Sequence, residues 1–321
     1  MMHDAILNFP SQFSFQPKVG NVYALKKKKQ IVVCGMGGSH LAADLLLAYR
    51  PDYPMITRRD YGLPSLPEKI LKESLIVASS YSGNTEEVIE AYDQARKKKL
   101  LLIVVAVGGT LIEMAKRDNV PYIQMPNMGI QPRSALGLSL RSLLKALGEE
   151  RLLRVTDHLV HVLKPKKLEK PGARLAKMMK NRVPVIYCSQ QNETVAWNWK
   201  IKLNETGKIP AFYNVLPEMN HNEMNGFDVT PRSAHLSKSF HFIILRDVVD
   251  HPQIQKRMSV LARLYKKRKL PVTIIDLKGN DFFEKVFSSL LLAEWVSFYT
   301  ANLYGLESEQ VPMVEEFKKL I

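Results

Sequence analysis

Cysteine is scarce in this 321-residue chain: there are two, Cys34 in "IVVCG" and Cys188 in "VIYCS". Each ends a short apolar run, so both are expected to be buried strand thiols rather than a disulfide, and the cytoplasm is the expected compartment. CxxC, HExxH and His/Cys clusters are missing, so no motif proposes a metal, and no cofactor is expected. Long apolar runs are missing too. The most apolar helical stretch, "FFEKVFSSLLLAEWVSFYTANLYG", is interrupted by Glu284, Lys285 and Glu294, which suits a buried or subunit-contact helix and not a membrane span. The beginning, "MMHDAILNFPSQF", lacks the basic start and apolar core of a signal peptide.

Positive charge, by contrast, is in excess, at +15 net. The runs "LKKKKQIVV", "ARKKKLLLIVV" and "YKKRKLPVTII" each precede an apolar stretch, and the latter two follow apparent helices, where lysines complement the negative end of the dipole. In a parallel sheet they fall at the strands' N-terminal edge, opposite the edge that binds ligands. They lack the interleaved aromatics of a stacking platform, so nucleic acid is not an expected partner.

The chain alternates short β-rich runs with helix-length amphipathic segments. In the first half the runs are "QIVVCG", "PMITR", "SLIVASS", "LLLIVVAV" and "PYIQMP"; in the second, "PVIYCS", "IPAFYNVLP", "FHFIILRD" and "PVTIIDLKG". This is the grammar of α/β architecture with mostly parallel sheets between helix layers. Details recur: the first run of each series ends in its half's cysteine, and the fourth follows a Lys/Arg run and a leucine. Two similar three-layer αβα domains are expected, residues 1–155 and 156–321. They join near "KPKKLEKPGARL", where Pro165, Pro171 and Gly172 break helical periodicity. One long doubly wound sheet is the alternative.

Three strand-end loops carry polar chemistry. "GMGGSHLAADLL" offers Gly35, Gly37, Gly38 and Ser39 at a helix start, but His40 stands where a dinucleotide fingerprint needs glycine. "ASSYSGNTEE" crowds Ser79, Ser80, Ser82 and Thr85 around Gly83 between a strand and a helix. Hydroxyls and free helix N–H groups surround a phosphate without any lysine. Plain capping by Ser82 or Asn84 is the competing reading, but capping needs only one hydroxyl. The favoured reading is one phosphomonoester shared by both turns. In "MPNMGIQPRSALG", Pro132 fixes the backbone before Arg133, which is placed to pin an oxyanion beside that phosphate.

In the second half, "KIKLNETGKIPAFYNVLPEMNHNEMNGF" is dense in polar side chains. Glu205 ends a helix whose upstream face carries Trp197, Trp199 and Leu203; burial and the helix dipole are expected to raise its pKa and suit it to carry a proton. His221 lies between Asn220 and Asn222, as an acid and base working near neutrality.

"GMGGS", "SYSGNTEE", "PRSALG", "LNETGKIPAF" and "NHNEMNGF" occur in the order found in the bifunctional phosphoglucose/phosphomannose isomerases, which the sequence resembles over roughly residues 30 to 320. These belong to the phosphoglucose isomerase superfamily and contain paired sugar isomerase (SIS) domains. The resemblance implies metal-independent aldose–ketose isomerisation of hexose 6-phosphates through a cis-enediolate. It implies phosphate binding by Gly37, Gly38, Ser39, Ser80, Ser82 and Thr85, with Glu205 as the base between C1 and C2 and Arg133 as enediolate stabiliser. It further implies ring opening by His221 from the second subunit of a homodimer, aided by Lys318 or its neighbour Lys319. Departures are His40 after GMGGS, expected to crowd or contact the sugar phosphate, and Gly207 in "NETGK", expected to loosen the base. The residue admitting mannose phosphate falls near Gln310 or Val311. The alternative of another class is a non-catalytic sugar-phosphate sensor, which has no need of Glu205; a nicotinamide-dependent dehydrogenase is disfavoured by His40.

Overall fold

The computed structural model describes residues 2–21 and 29–320. The first basic run, Leu25 to Lys28, lies outside the described residues. The chain divides into two compact units: residues 8–162, and residues 163–321 together with the first seven. The sequence-based division after residue 155 thus stands seven residues short of the structural one, and the first seven residues group with the second unit.

The first unit holds a six-stranded sheet made of β1 (Val19–Gly20), β2 (Gln30–Cys34), β3 (Met55–Arg58), β4 (Ser74–Ser79), β5 (Leu101–Ala106) and β6 (Tyr122–Gln124). The order is β1-β6-β5-β4-β2-β3, and all pairs are parallel except β1 with β6. Every residue of β4 is buried, which requires cover on both faces, as in a three-layer arrangement. The five expected runs became β2 to β6; β1, two residues long and without a hydrophobic period, was not anticipated.

The second unit contains β7 (Val183–Ser189), β8 (Phe212–Leu216), β9 (Phe240–Arg246) and β10 (Val272–Asp276), all parallel in the order β10-β9-β7-β8. The sheets are separate, so the single long sheet is excluded. The repeated grammar has a structural counterpart. Helix Glu86–Lys97 and helix Pro252–Lys267 each end on a lysine with positive φ, Lys99 at 53° and Lys269 at 60°. The following leucine donates its N–H back into the helix, Leu100 to Ala95 and Leu270 to Tyr265. Both basic runs therefore close helices ahead of β5 and β10. Cys34 and Cys188 are buried on β2 and β7, and burial pushes the Cys34 thiol up to about 12 and Cys188 well above its usual value.

The expected break at "KPKKLEKPGARL" is instead a helix, Pro165–Met179, with Pro171 inside it. Pro165 opens the helix, where a missing N–H costs nothing. Gly172 acts as a contact and not a breaker: a Cβ there would lie 2.4 Å from the Trp295 Cβ. Trp295 also donates its indole N–H to the Pro165 carbonyl at 2.8 Å. Packing against helix Phe282–Leu303 thus overrides the local propensity. That long helix absorbs its charges: Lys285 bonds both Asp247 carboxylate oxygens at 2.9 and 2.6 Å, and Glu294 pairs with Lys202 at 2.5 Å. Among the described residues no helix is long and apolar enough to cross a membrane.

Candidate active site

Parallel register brings the two phosphate-loop candidates together. Cys34 pairs with Ala78, so the chain leaves β2 through Gly35 beside the point where it leaves β4 through Ser80. The turns are bonded to each other. Ser39, in a short helical turn Gly37–Ser39, accepts the Tyr81 N–H on its hydroxyl at 2.9 Å, and Ser79 donates its hydroxyl to the Ser39 carbonyl at 3.1 Å. Gly37 has φ of 51°, and a Cβ on Gly38 would come within 3.0 Å of the Pro132 carbonyl oxygen. That close approach seats the Pro132–Ser134 turn, and with it buried Arg133, against the glycine loop.

Within the serine turn the hydroxyls divide their work. Ser80 is buried, shares a 2.7 Å hydrogen bond with Thr85 and accepts the Gly83 N–H at 3.1 Å. Ser82 is exposed and accepts the Asn84 N–H at 3.2 Å, while Asn84 accepts from the Thr110 N–H and hydroxyl. Neither Ser82 nor Asn84 caps the following helix, contrary to the plain-capping alternative. Helix Glu86–Lys97 begins at Thr85 with no side-chain cap, and helix Leu41–Tyr49 begins the same way at His40. Two uncapped helix N-termini therefore follow the adjacent strands β2 and β4, the arrangement that favours an anion. Gly83 is obligatory: φ is 77°, and a Cβ would lie 1.8 Å from the Gly108 carbonyl oxygen.

In the second unit, Glu205 is the last residue of helix Glu193–Glu205 and is half-buried. Trp199 and Leu203 lie on its core face, Trp199 donating to the Ser289 hydroxyl at 3.0 Å; Trp197 projects elsewhere and stacks on Tyr213. Lys208 donates to the Glu205 carbonyl at 2.7 Å and also to the Gln310 carbonyl, tying the helix end to the segment before the C-terminal helix. His221 closes the short helical turn Glu218–His221 and is exposed. Lys318, in helix Pro312–Leu320, is exposed and paired with Glu315 at 2.9 Å; Lys319 is exposed as well.

Comparisons with known proteins supply the family. Residues 168–321 match the family described as bacterial phospho-glucose isomerase C-terminal SIS domain. The chain is 32% identical over 338 residues to a bifunctional phosphoglucose/phosphomannose isomerase of Caldicellulosiruptor bescii, covering 99% of this chain and 98% of that protein. It belongs to the bifunctional phosphoglucose/phosphomannose isomerase family. The like-named protein of Aquifex aeolicus is 28% identical, covering 99% of this chain and 97% of the relative. In fold, the chain resembles the C-terminal domain of glucosamine-fructose-6-phosphate aminotransferase from Francisella tularensis, with a TM-score of 0.67 at 16% identity, covering 96% and 98% of the two chains.

Against that family's pattern, the two departures take on physical roles. His40 is buried, and its Nδ1 lies 2.6 Å from Asp44, which also accepts from Arg59 at 2.8 Å. Burial works against the Asp44 charge, but His40 and Arg59 outweigh it and hold the carboxyl below its usual range. The imidazole Nδ1 is thus engaged within its own helix. Gly207, expected to loosen the base, instead tightens the turn: its N–H reaches the Lys202 carbonyl, and a Cβ would come within 2.7 Å of the Leu203 carbonyl oxygen.

Two residues passed over in the sequence belong to this picture. Gln12, buried in the short helix Phe9–Ser14, donates to the Ser134 carbonyl at 2.7 Å and accepts from the Gly137 and Leu138 N–H groups. It caps helix Leu136–Ala146 and holds the Arg133 turn from more than a hundred residues away in sequence, and no local signal marks it. Glu223 lies inside the NHNE motif and was legible as a polar residue, but not as an anchor.

Proposed function

We propose that this chain interconverts glucose 6-phosphate and mannose 6-phosphate with fructose 6-phosphate. The observation that carries the reading is the nearly full-length likeness to proteins named bifunctional phosphoglucose/phosphomannose isomerase. In this reading the ester lies at the turns after β2 and β4, held by N–H groups of the two uncapped helix starts, the Gly37–Gly38 backbone and hydroxyls of Ser39, Ser80, Ser82 and Thr85. His221 and Lys318 assist ring opening. The Glu205 carboxylate removes the C2 proton of the aldose, giving a planar cis-enediolate whose negative oxygen Arg133 stabilises. The O2 proton then leaves, O1 is protonated, and the proton on Glu205 returns to C1. Planarity at C2 erases its configuration, so one site serves both aldoses. A carboxylate suffices for this proton transfer, and no step calls for a metal.

The test is a coupled assay of purified protein with each aldose phosphate, run also in D2O. Fructose 6-phosphate is expected from both, with deuterium entering at the transferred position because a carboxylate-borne proton exchanges with solvent. Complete absence of label would replace the enediolate with a hydride shift, and absence of turnover would favour the sensor.

The phosphate reading predicts that Ser82→Ala combined with Thr85→Ala weakens fructose 6-phosphate binding about 100-fold or more, since each hydrogen bond to a charged group contributes about 1.5 kcal/mol or more. Calorimetry checks this, and unchanged affinity would move the ester elsewhere.

We further propose a homodimer in which His221 serves the partner's site. Its support is the exposure of His221 and of Met313, Phe317 and Leu320 on the C-terminal helix. Mixing inactive Glu205→Gln with impaired His221→Ala protein should raise activity on the cyclic substrate above that of either variant alone after subunit exchange, because one site of each mixed dimer regains both groups. No recovery despite verified exchange would place His221 in its own chain's site.

A further inference from the structure

We infer that Glu223 is a positioning residue that fixes the His221 turn to the sheet, an inference that rests on the ring-opening role proposed for His221. His221 is exposed and makes no hydrogen bond among the described residues, so its place is set by the backbone on either side. Upstream, Met219 is fully buried in the core of the second unit. Downstream, the Glu223 carboxylate accepts the Tyr187 hydroxyl at 2.6 Å on one oxygen and the Asn214 side-chain amide at 2.5 Å on the other. Tyr187 and Asn214 are register partners across β7 and β8, so one carboxylate clips the neighbouring strands together and pins the loop to both.

The clip is rigid at its base. Tyr187 is fully buried and stacked on Phe242 at 5.7 Å between ring centres, and the Asn214 oxygen accepts the Val215 N–H at 2.8 Å. Burial, with Tyr265 and Glu223 beside it, pushes the Tyr187 phenol far up, so it stays a donor to the carboxylate. Around the turn, Asn222 accepts the Glu223 N–H and donates to Glu218 at 2.9 Å, while Phe227 packs edge-on to Phe242 at 4.8 Å. His221 therefore rides at the centre of a five-residue span staked by Met219 on one side and Glu223 on the other. With both oxygens engaged, Glu223 is not a proton carrier; it holds the residue that is. Fixing a reacting group through its supporting partners is what converts a present group into a competent one.

The test separates this role from general stabilisation. Glu223→Gln, which keeps the shape, is expected to lower kcat on glucose 6-phosphate about tenfold with KM nearly unchanged. It is expected to have little effect on an analogue lacking both the 4- and 5-hydroxyls, which closes to neither a furanose nor a pyranose and needs no opening. In a His221→Ala background the substitution should cause no further loss, the signature of two residues acting as one unit. Tyr187→Phe, which removes one of the two bonds and keeps the packing, should show the same ring-specific loss at about threefold. Thermal melts confirm that each variant is folded. Equal losses on both substrates, or losses that multiply with His221→Ala, would overturn the positioning role and leave the ring-opening role standing. A fully active His221→Ala protein would instead remove the ring-opening role, and this inference with it.

Discussion

Glu205→Gln is expected to leave fructose 6-phosphate affinity within about twofold of the parent while lowering kcat by about three orders of magnitude or more, the range assigned to a general base. Glutamine matches glutamate in shape but does not accept the C2 proton. The fold should tolerate the change, because Glu205 is half-buried at a helix end whose turn is held by other groups. Those are the Lys208 bond to the Glu205 carbonyl and the return of the Thr206 and Gly207 N–H groups to Lys202, none of which uses the carboxylate. Loss of turnover with binding intact is the mark of an interaction made only in the transition state. A Glu205→Gln protein with parental kcat would take the proton transfer away from this residue and reopen the sensor reading.

The second large effect is on stability. Glu294→Ala is expected to destabilise the second unit by about 3–5 kcal/mol, because it leaves the Lys202 ammonium buried without its carboxylate. Both side chains are 2% exposed and their N–O distance is 2.5 Å. The asymmetry decides the sign. Removing one partner strands a desolvated charge, whereas replacing both by apolar groups of similar volume, as in Lys202→Met with Glu294→Leu, should recover most of the loss. Denaturant unfolding of the three variants checks this. A single variant that costs less than about 1 kcal/mol would mean that water or another group takes over the charge. The pair also bears on catalysis: Lys202 lies on the helix that Glu205 ends, so Glu294→Ala should lower kcat as well, while the apolar double variant should restore it.

Much of the fold was legible because its signals are local. Each expected strand run in both series became a strand, since β-branched runs bounded by turn residues state their own period. The glycine loop and the serine turn were legible as neighbours, because a βαβ crossover places successive strand ends at one edge. Prolines misled. Pro171 reads as a helix breaker, yet Gly172 lets Trp295 approach so closely that the helix forms around the proline. His40 and Gly207 also gained structural contacts that no motif announced, the first through Asp44, which Arg59 engages in turn, the second because the Leu203 carbonyl leaves no room for a Cβ.

What the sequence determined by itself was the alternation of strands and helices, the strand-end loops able to take an anion, and the family motifs in order, all properties of residues near one another in the chain. What only the tertiary structure decided was the support beneath the chemistry: Gln12 under the Arg133 turn, Glu294 under the Glu205 helix, Glu223 under His221. A buried polar group is tolerated only beside a partner, and for Gln12 and Glu294 that partner lies on a distant segment, 122 residues away for Gln12 and 92 for Glu294. No local pattern encodes that distance; folding supplies it.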